Sequence, residues 1–277
     1  MISCPTVSKR HIRGHYDLTT VFYRLLWGEH IHHGLWSADE TPRVAQLRLT
    51  ETLAAEAGIT GNEDVLDVGC GMGGSSLWLA ARGCRVTGVT ISGLQRRWAA
   101  LAARRRGLHH RTRFVRADAE ALELTPQSVD VVWSIECTEH LFDKAAFFQR
   151  AAGWLRPGGR VAICAWLAGD AQDCETVKHV ERVCEGFFCP SLGTAADYTS
   201  WMQRAGLRVE RELDWTKRVE RTWEICQQRV ARAGMPLLAR CLGRRTSLFV
   251  NRFETILSAY RSGAMRYGCF IARRNVV

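Results

Sequence analysis

The sequence predicts an α/β fold, in which an open and mostly parallel sheet carries helices on both faces. Two observations indicate this class. Short runs of aliphatic and β-branched residues alternate with longer stretches of helical periodicity, which is typical of parallel sheets. The first run, residues 65–68, leads into the glycine-rich turn 69–74, and an apolar helix opens directly after it. A strand, a tight turn and a helix in this order form a unit that brings the backbone close to a ligand.

Seven runs are expected to be strands. They are residues 65–68, 84–90, 112–116, 129–135, 160–166, 207–211 and 265–274. Helices are expected between them, with Pro42 in the first turn of one and Ser92 and Asp143 as N-caps of two others. Residues 1–15 are polar and basic and are expected to form a loose arm.

Length and composition favour one domain with an insertion. The chain has 277 residues, of which 47% are hydrophobic, enough for a full core. We divide it into an N-terminal arm and lid (1–60), a ligand-binding core (61–167), and late helices with the last two strands (168–277). The eleven cysteines are scattered and several lie in apolar runs, so we expect reduced thiols and a cytoplasmic location. We expect no metal, since no C-x-x-C spacing occurs, and no transmembrane segment, since no apolar run reaches the necessary length.

The formal net charge of +10 leaves three classes of partner open: nucleic acid, an anionic membrane surface, and an acidic substrate. The arginines are spread over many helices, and no RNA-binding module is visible. Nucleic acid is therefore disfavoured, while peripheral membrane contact stays open. The sequence carries no indication of an oligomeric state.

The glycine turn fits G-x-G-x-x-G, a pattern that dinucleotide enzymes also use. A dinucleotide site would add an acidic residue at the end of the second strand to hold the ribose. Here that strand ends in Thr90. The interpretation as a dinucleotide-binding site therefore lacks the acidic residue that it requires at this position.

The run Asp67-x-Gly69-x-Gly71-x-Gly73 resembles the first motif of the class I S-adenosylmethionine-dependent methyltransferases. A second likeness is the L-x-P-G-G turn, residues 155–159, before the fifth strand. The resemblance implies S-adenosylmethionine as the cofactor and a Rossmann-like, seven-stranded mixed sheet. In that sheet strands one to five are parallel and the last hairpin is antiparallel.

The segment W-G-E-H-x-H-H-G-x-W, residues 27–36, resembles a stretch of the tocopherol, plastoquinone-type and sterol carbon methyltransferases. In that subgroup the segment lies over the cofactor, which makes Tyr16, His33 and Trp36 lid candidates. An apolar helical face precedes it, formed by Leu18, Phe22, Leu25 and Leu26. The histidines 30, 32 and 33 could bind a metal, but we favour a structural or substrate-facing role because carboxylate and cysteine partners are missing.

The cofactor set follows from the same resemblance. Thr90 and Gln95 stand where many members carry an acidic residue, as in the cyclopropane-synthase and tocopherol branches, and Gln95 can still bond a diol. Asp118 is implied as the acceptor of the adenine amine, although it could instead cap a turn. The neighbours Ile91, Ala119 and Ile135 complete the cofactor-binding candidates.

Three residues at the end of the fourth strand, Glu136, Glu139 and His140, are the catalytic candidates. Ligands gather at the carboxyl ends of parallel strands, and an imidazole beside carboxylates can hold a proton near neutral pH. Glu139 and His140 could also be ordinary residues entering the next helix.

The late helices either cover one sheet face or form a substrate lid, which we favour. The expected reaction is methyl transfer to a hydrophobic or anionic small molecule, aromatic or prenyl/terpenoid, at carbon. Oxygen or nitrogen methylation stays open, as does a repurposed enzyme that retains its cofactor without methylating. Fatty-acyl cyclopropanation is weaker, because only Glu139 and His140 of that family's carbonate-binding set are identifiable.

Overall fold

The fold was analysed in a computed structural model, which describes all residues except 11, 15, 18, 19, 21–27, 172, 233–243 and 277. For residues 230 and 244–251 it describes the backbone only. The expected helical face of Leu18, Phe22, Leu25 and Leu26 lies outside the described residues, as does the middle of the expected C-terminal helical region.

The strands, in chain order, are β1 (Ile2–Ser3), β2 (Asp64–Val68), β3 (Arg85–Thr90), β4 (Thr112–Arg116), β5 (Val129–Ile135), β6 (Leu155–Ala168), β7 (Ser191–Leu192), β8 (Leu207–Asp214) and β9 (Met265–Arg274). The helices are α1 (Pro42–Glu56), α2 (Gly74–Ala81), α3 (Gly93–Arg105), α4 (Lys144–Trp154), α5 (Cys174–Phe187), α6 (Ala195–Arg204), α7 (Thr216–Val219), α8 (Arg221–Arg232) and α9 (Arg244–Ser262). A 3₁₀ turn, Thr138–His140, follows β5.

Seven strands form the main sheet in the order β4-β3-β2-β5-β6-β9-β8. The five strands β2 to β6 are parallel to one another. Strand β9 is antiparallel to both β6 and β8. The predicted fold class and mixed sheet are confirmed. Strand order reverses between β2 and β5, so a ligand crevice is expected at the carboxyl ends of these two strands.

Local sequence explains most helix boundaries. Pro42 occupies the first turn of α1, where its missing N–H costs nothing. Ser92 Oγ accepts from Gln95 N at 3.2 Å, and Asp143 Oδ1 accepts from Ala146 N at 2.8 Å, as expected for N-caps. Two buried clusters, one centred on residues such as Trp133 and the other on residues such as Phe148, fix these helices on the sheet.

The fifth core strand begins earlier than its sequence predicts. The turn 156–159 lies within β6, because Leu155 already pairs with Val129 while Arg160 pairs with Val131. The extra residues form an irregularity in the ladder, and Gly158 there has φ +75°.

The expectation of a loose N-terminal arm is wrong for its first residues. Strand β1 pairs antiparallel with β7, and Cys4 N donates to Pro190 O at 2.8 Å. Ile2 and Cys4 are buried, so apolar side chains among the basic ones anchor the arm. The described residues between 9 and 20 are helical and lead to the sheet's carboxyl edge. The division at 60 and 167, and the lid role of the first part, stay predictions.

Among the residues that the structure describes, no helix is long and apolar enough to cross a bilayer.

Candidate functional site

Two cavities adjoin each other at the carboxyl edge of the sheet. Counting space open to solvent, they measure about 770 and 660 Å³. They share Tyr16, Ile31, Glu136 and His140 in their walls. The first cavity contains the ends of the glycine turn, β3 and β4, and the second contains aromatic side chains of the later elements. We call them the glycine cavity and the aromatic cavity.

The three glycines of the turn have different environments. Gly69 (φ +78°) faces Cys137, whose Cβ would lie 2.3 Å from an added Cβ. Gly73 (φ +86°) packs on Ala99 and Phe114, with the first contact at 3.0 Å. At Gly71 (φ +52°) an added Cβ would meet nothing within 4 Å, and this residue lines the glycine cavity. A ligand can therefore approach the backbone most closely at Gly71.

The end of β3 presents polar groups to the same cavity. Thr90 Oγ1 donates to Gln95 Oε1 at 2.8 Å, which orients a buried amide. No residue of the described chain bonds the amide nitrogen of Gln95, so that group is available to the oxygen of a ligand diol. Ile91 lies beside them in the wall.

The end of β4 adds Asp118 and Ala119, both in the wall of the glycine cavity, with Ile135 opposite. Lys9 Nζ lies 2.6 Å from Asp118 Oδ2 and 2.9 Å from Glu120 Oε2. The N-terminal segment is thus attached by an ion pair to the carboxylate that was predicted to meet adenine. The turn-capping alternative also has support, because Glu120 N donates to Asp118 Oδ1 at 2.9 Å.

Glu136 lies between the two cavities on a strained backbone, with φ +53° at a non-glycine position. Its Oε1 accepts from His33 N (2.8 Å), His33 Nδ1 (2.9 Å) and Tyr267 Oη (2.7 Å). Burial acts to raise its pKa, but the His33 ring and these hydrogen bonds outweigh burial and hold the pKa at about 2. No hydrogen bond from the described residues reaches Oε2. Glu136 is an ionised carboxylate with one unengaged oxygen.

His140 is held in one tautomer. Its Nδ1 lies 3.0 Å from Phe188 O, and since a carbonyl only accepts, Nδ1 carries the proton. Its Nε2 therefore accepts from Tyr16 Oη at 2.8 Å. Burial lowers the pKa of His140 to about 4, so the ring is neutral near pH 7. Tyr16 and His140 form a neutral pair in the wall shared by both cavities.

Glu139 has the opposite electrostatic state to Glu136. Its Oε1 accepts from Trp166 N, while its buried Oε2 has no partner among the described atoms. Burial, assisted by the charge of Glu136, raises the pKa of Glu139 to about 8. Glu139 lines the aromatic cavity and carries a proton near pH 7.

His33 stands at the centre of an aromatic group. Its ring centroid lies 5.1–5.7 Å from those of Trp166, Trp223, Tyr260 and Tyr267. Its Nε2 accepts from Trp223 Nε1 at 2.5 Å, because an indole N–H can only donate. His33 lines the aromatic cavity rather than the glycine cavity.

His30 and His32 bond each other at 3.1 Å, and His32 Nδ1 also bonds His33 O at 2.8 Å. Burial lowers the pKa of both rings, that of His30 to about 3. Within the described ranges, no group of three or more His, Cys, Asp or Glu side chains could hold a metal ion.

Four predicted cofactor residues lie outside the glycine cavity, and one of them, His33, lines the aromatic cavity instead. Asp67 is buried beneath the turn and accepts from Ser76 Oγ at 2.5 Å, and Gly73 packs on α3. Trp36 points to the late helices, where its Nε1 donates to Thr222 Oγ1 at 2.9 Å. Asp67, Gly73 and Trp36 line neither cavity, and for Trp36 this differs from the expected lid role.

Sequence reasoning missed several residues of the site. They are Lys9, Ile12 and Ile31 in the glycine cavity wall, and Trp166, Phe187, Trp223 and Phe253 in the aromatic cavity. Tryptophans at the end of β6 and in α8 were a signal of unusual composition, but their convergence depends on long-range packing.

Comparison with known proteins gives consistent results. A family model for a methyltransferase domain matches residues 66–163. The chain is 28% identical over 287 residues to the chloroplastic tocopherol O-methyltransferase of Arabidopsis thaliana, covering 96% of this chain and 82% of the relative. It is 34% identical over 221 residues to the 27-O-demethylrifamycin SV methyltransferase of Amycolatopsis mediterranei (strain S699), covering 74% of this chain and 79% of the relative.

The chain belongs to the class I S-adenosylmethionine-dependent methyltransferases. The crystal structure of the cyclase SpnF shares the fold, with a TM-score of 0.83 at 23% identity and complete coverage of both chains. Since that protein is named as a cyclase, the fold alone does not define the reaction.

The glycine cavity of this methyltransferase fits its cofactor, S-adenosylmethionine. The open space at Gly71 admits close backbone approach, and the carboxylate of Asp118 and the free amide of Gln95 can bond amine and hydroxyl groups. Gly69, Thr90, Ile91, Ala119 and Ile135 line the same cavity, and the prediction that these residues hold the cofactor is tested below.

Gly71→Val is expected to abolish cofactor binding while preserving the fold, because its side chain would extend into the glycine cavity. Gly107→Val is the matched control. Gly107 also has positive φ (+68°) and open space, but it is exposed beyond α3. Each variant should lose about 1–3 kcal/mol of stability through backbone strain. Calorimetric titration with S-adenosylmethionine should show binding by Gly107→Val and none by Gly71→Val. Equal affinities of the two variants for the cofactor would contradict the cavity assignment.

Glu139→Gln should become more stable than the wild type as pH rises. In the folded protein the pKa of Glu139 is about 8, against about 4.5 when unfolded, so folding binds a proton between these values. Stability from this group is fully present below pH 4.5 and is lost as pH rises to 8. Melting temperatures of both proteins at pH 5 and pH 8 test this. A wild type that gains stability over this interval relative to the variant would refute it.

Proposed function

We propose that this enzyme methylates an electron-rich carbon of a hydrophobic acceptor, an aromatic ring or a prenyl alkene, bound in the aromatic cavity. The observation on which this rests is Glu136, an ionised carboxylate that lines both cavities and has one oxygen without a hydrogen bond from the described residues. The lid role of Tyr16 and His33 and the catalytic roles of Glu136 and His140 belong to this proposal, whereas a catalytic role of Glu139 belongs to the second candidate below.

The lining of the aromatic cavity supports an apolar acceptor. Trp166, Phe187 and Trp223 contact one another edge to face, with centroids 5.2–5.9 Å apart. Flat rings and isoprenoid chains pack well on such surfaces. The ring faces also stabilise positive charge.

The acid–base properties favour carbon over oxygen. When bound, S-adenosylmethionine supplies an electrophilic methyl group. The acceptor carbon contributes the electron pair of the new bond, which leaves a cation that is a very strong acid. A weak base then suffices to remove its proton, and Glu136, with a pKa of about 2, is such a base. Its charge also stabilises the cation.

His140 offers a second route for that proton. Tyr16 Oη could take the proton from the acceptor while passing its own to Nε2 of His140. Because Tyr16 also belongs to the N-terminal segment, the route exists only when this segment covers the site.

Oxygen methylation is the second candidate. A hydroxyl acceptor needs a stronger base, and Glu139, with a pKa of about 8 and an unpartnered oxygen, is such a base in its deprotonated form, whose population increases as pH rises towards 8. The two curated relatives described above include one named as an O-methyltransferase. Under this alternative Glu139, and not Glu136, accepts the proton.

The decisive experiment is incubation with S-adenosylmethionine carrying a deuterated methyl group. The acceptors are geranyl diphosphate, a prenylated hydroquinone and a chromanol. Carbon methylation predicts a product whose label resides on carbon by NMR, and label on oxygen would overturn the proposal in favour of the second candidate. The Gly71→Val variant, which is expected not to bind the cofactor, is the negative control. Bound cofactor that remains unconverted, with an acceptor rearranged instead, would indicate a repurposed enzyme.

Glu136→Gln should lower kcat by about 10²–10⁴-fold with little change in cofactor affinity. The amide oxygen can still accept from His33 and Tyr267, but the charge and the base are gone. Glu139→Gln is the matched control and should retain most activity, because Glu139 is already neutral near pH 7. The reverse ranking in a single-turnover assay would assign the proton to Glu139.

A further inference from the structure

One region of the surface is basic without internal compensation. Residues 68–117 contain no Asp or Glu, although acidic residues stand at both borders, Asp67 and Asp118. The same range contains ten arginines, at positions 82, 85, 96, 97, 104, 105, 106, 111, 113 and 116. The positive charge of the whole chain is therefore concentrated in this part of the core.

Helix α3 arranges much of this charge on one face. Its buried residues are Gln95, Ala99 and Ala103, which face the sheet. The opposite face follows from the helical period of 3.6 residues. It carries Arg97, Trp98, Leu101, Arg104 and Arg105, all exposed. We call this set the arginine face.

Two large apolar side chains lie within the arginine face. Trp98 is 37% exposed and Leu101 47% exposed, and they lie between arginines on the helix surface. A purely solvated face would not need them, since exposed tryptophan and leucine leave apolar area in water.

The arginines of this region divide into paired and unpaired groups. Arg82, Arg85 and Arg106 form ion pairs with Glu51, Asp64 and Glu29, and Arg111 donates to a backbone carbonyl. Within the described ranges no ion pair is formed by Arg96, Arg97, Arg104, Arg105, Arg113 and Arg116. The field of the arginine face is thus available to an external anion.

The basic surface continues to the edge of the glycine cavity. Arg116 covers the start of α3, with its Cδ 3.6 Å from the Cβ position of Gly93. Together with Arg10 and Arg13 it lines a shallow groove that also includes Lys9 and Ile91, two residues of the glycine cavity wall. A partner on the arginine face would therefore lie beside the cofactor entrance.

We propose that the arginine face docks this enzyme on the surface of an anionic lipid bilayer. Arginines pair with lipid phosphates, while Trp98 and Leu101 insert at the level of the headgroups, the arrangement of interfacial amphipathic helices. Each arginine near such a surface contributes about 1 kcal/mol. Nucleic acid fits less well, because Leu101, the more exposed of the two, has no ring on which a base could stack. The proposal is independent of the acceptor's identity.

The test is co-sedimentation of the purified protein with vesicles of phosphatidylcholine alone, or mixed with phosphatidylglycerol, at low and high salt. Binding is expected to the mixed vesicles only, and to weaken at high salt. The triple variant Arg97→Glu, Arg104→Glu, Arg105→Glu should bind them at least about 100-fold more weakly, since three favourable charges are lost.

The matched control is Lys178→Glu, Arg182→Glu, Arg204→Glu. These exposed cations lie on α5 and α6, and no ion pair involves them within the described chain. The control should bind like the wild type, and both triple variants should keep normal affinity for S-adenosylmethionine, which reports an intact fold. If both triple variants bound the mixed vesicles equally weakly, net charge alone would explain the loss of binding, and the proposal would be overturned. Displacement from vesicles by an equimolar oligonucleotide would overturn it in favour of nucleic acid.

Discussion

The carboxylate of Glu136 is the constraint on which the assembly of the site depends. One oxygen accepts hydrogen bonds from His33 of the N-terminal segment and from Tyr267 of β9, while Glu136 itself ends β5. Three parts of the chain that are distant in sequence therefore meet at one buried charge. Removing one partner of such a charge typically costs about 3–5 kcal/mol. The strained backbone at Glu136 persists because these contacts determine it.

The two glutamates of the site differ in pKa because their environments differ. They are three positions apart, yet the pKa is about 2 for Glu136 and about 8 for Glu139. Burial raises the pKa of both, but Glu136 Oε1 accepts three hydrogen bonds, two of them from His33, whereas Glu139 accepts one, from Trp166 N, and its Oε2 is buried without a partner among the described atoms. Such pairs commonly divide acid and base roles in enzymes. Here the division leaves a charge in the wall shared by the two cavities and a neutral carboxyl group in the wall of the aromatic cavity.

The sequence predicted the fold and most of the glycine cavity, because both are encoded locally. A glycine turn after a buried strand requires positive φ at Gly71, and the ends of parallel strands bring Gln95 and Asp118 to the same edge. It placed Trp36 over the cofactor, where the structure instead shows a bond to Thr222, 186 positions away. Contacts between residues so far apart in the chain leave no periodic pattern in the sequence. For the same reason the sequence did not reveal that Lys9 lines the glycine cavity or that Trp223 lines the aromatic cavity.

This division between local and long-range encoding has a consequence for specificity. The glycine cavity is formed mainly by the core, with Lys9, Ile12, Tyr16 and Ile31 added from the N-terminal segment, whereas the aromatic cavity takes further walls from β6, α5, α8 and α9. The hydrogen bonds from Tyr16 to His140 and from His140 to Phe188 connect these two groups of elements through one imidazole. Substitutions in α8 and α9 therefore alter walls of the aromatic cavity alone, since neither helix lines the glycine cavity. The carbonyl of Phe188 fixes the tautomer of His140, and Nε2 of this ring in turn accepts from Tyr16 in the wall that both cavities share.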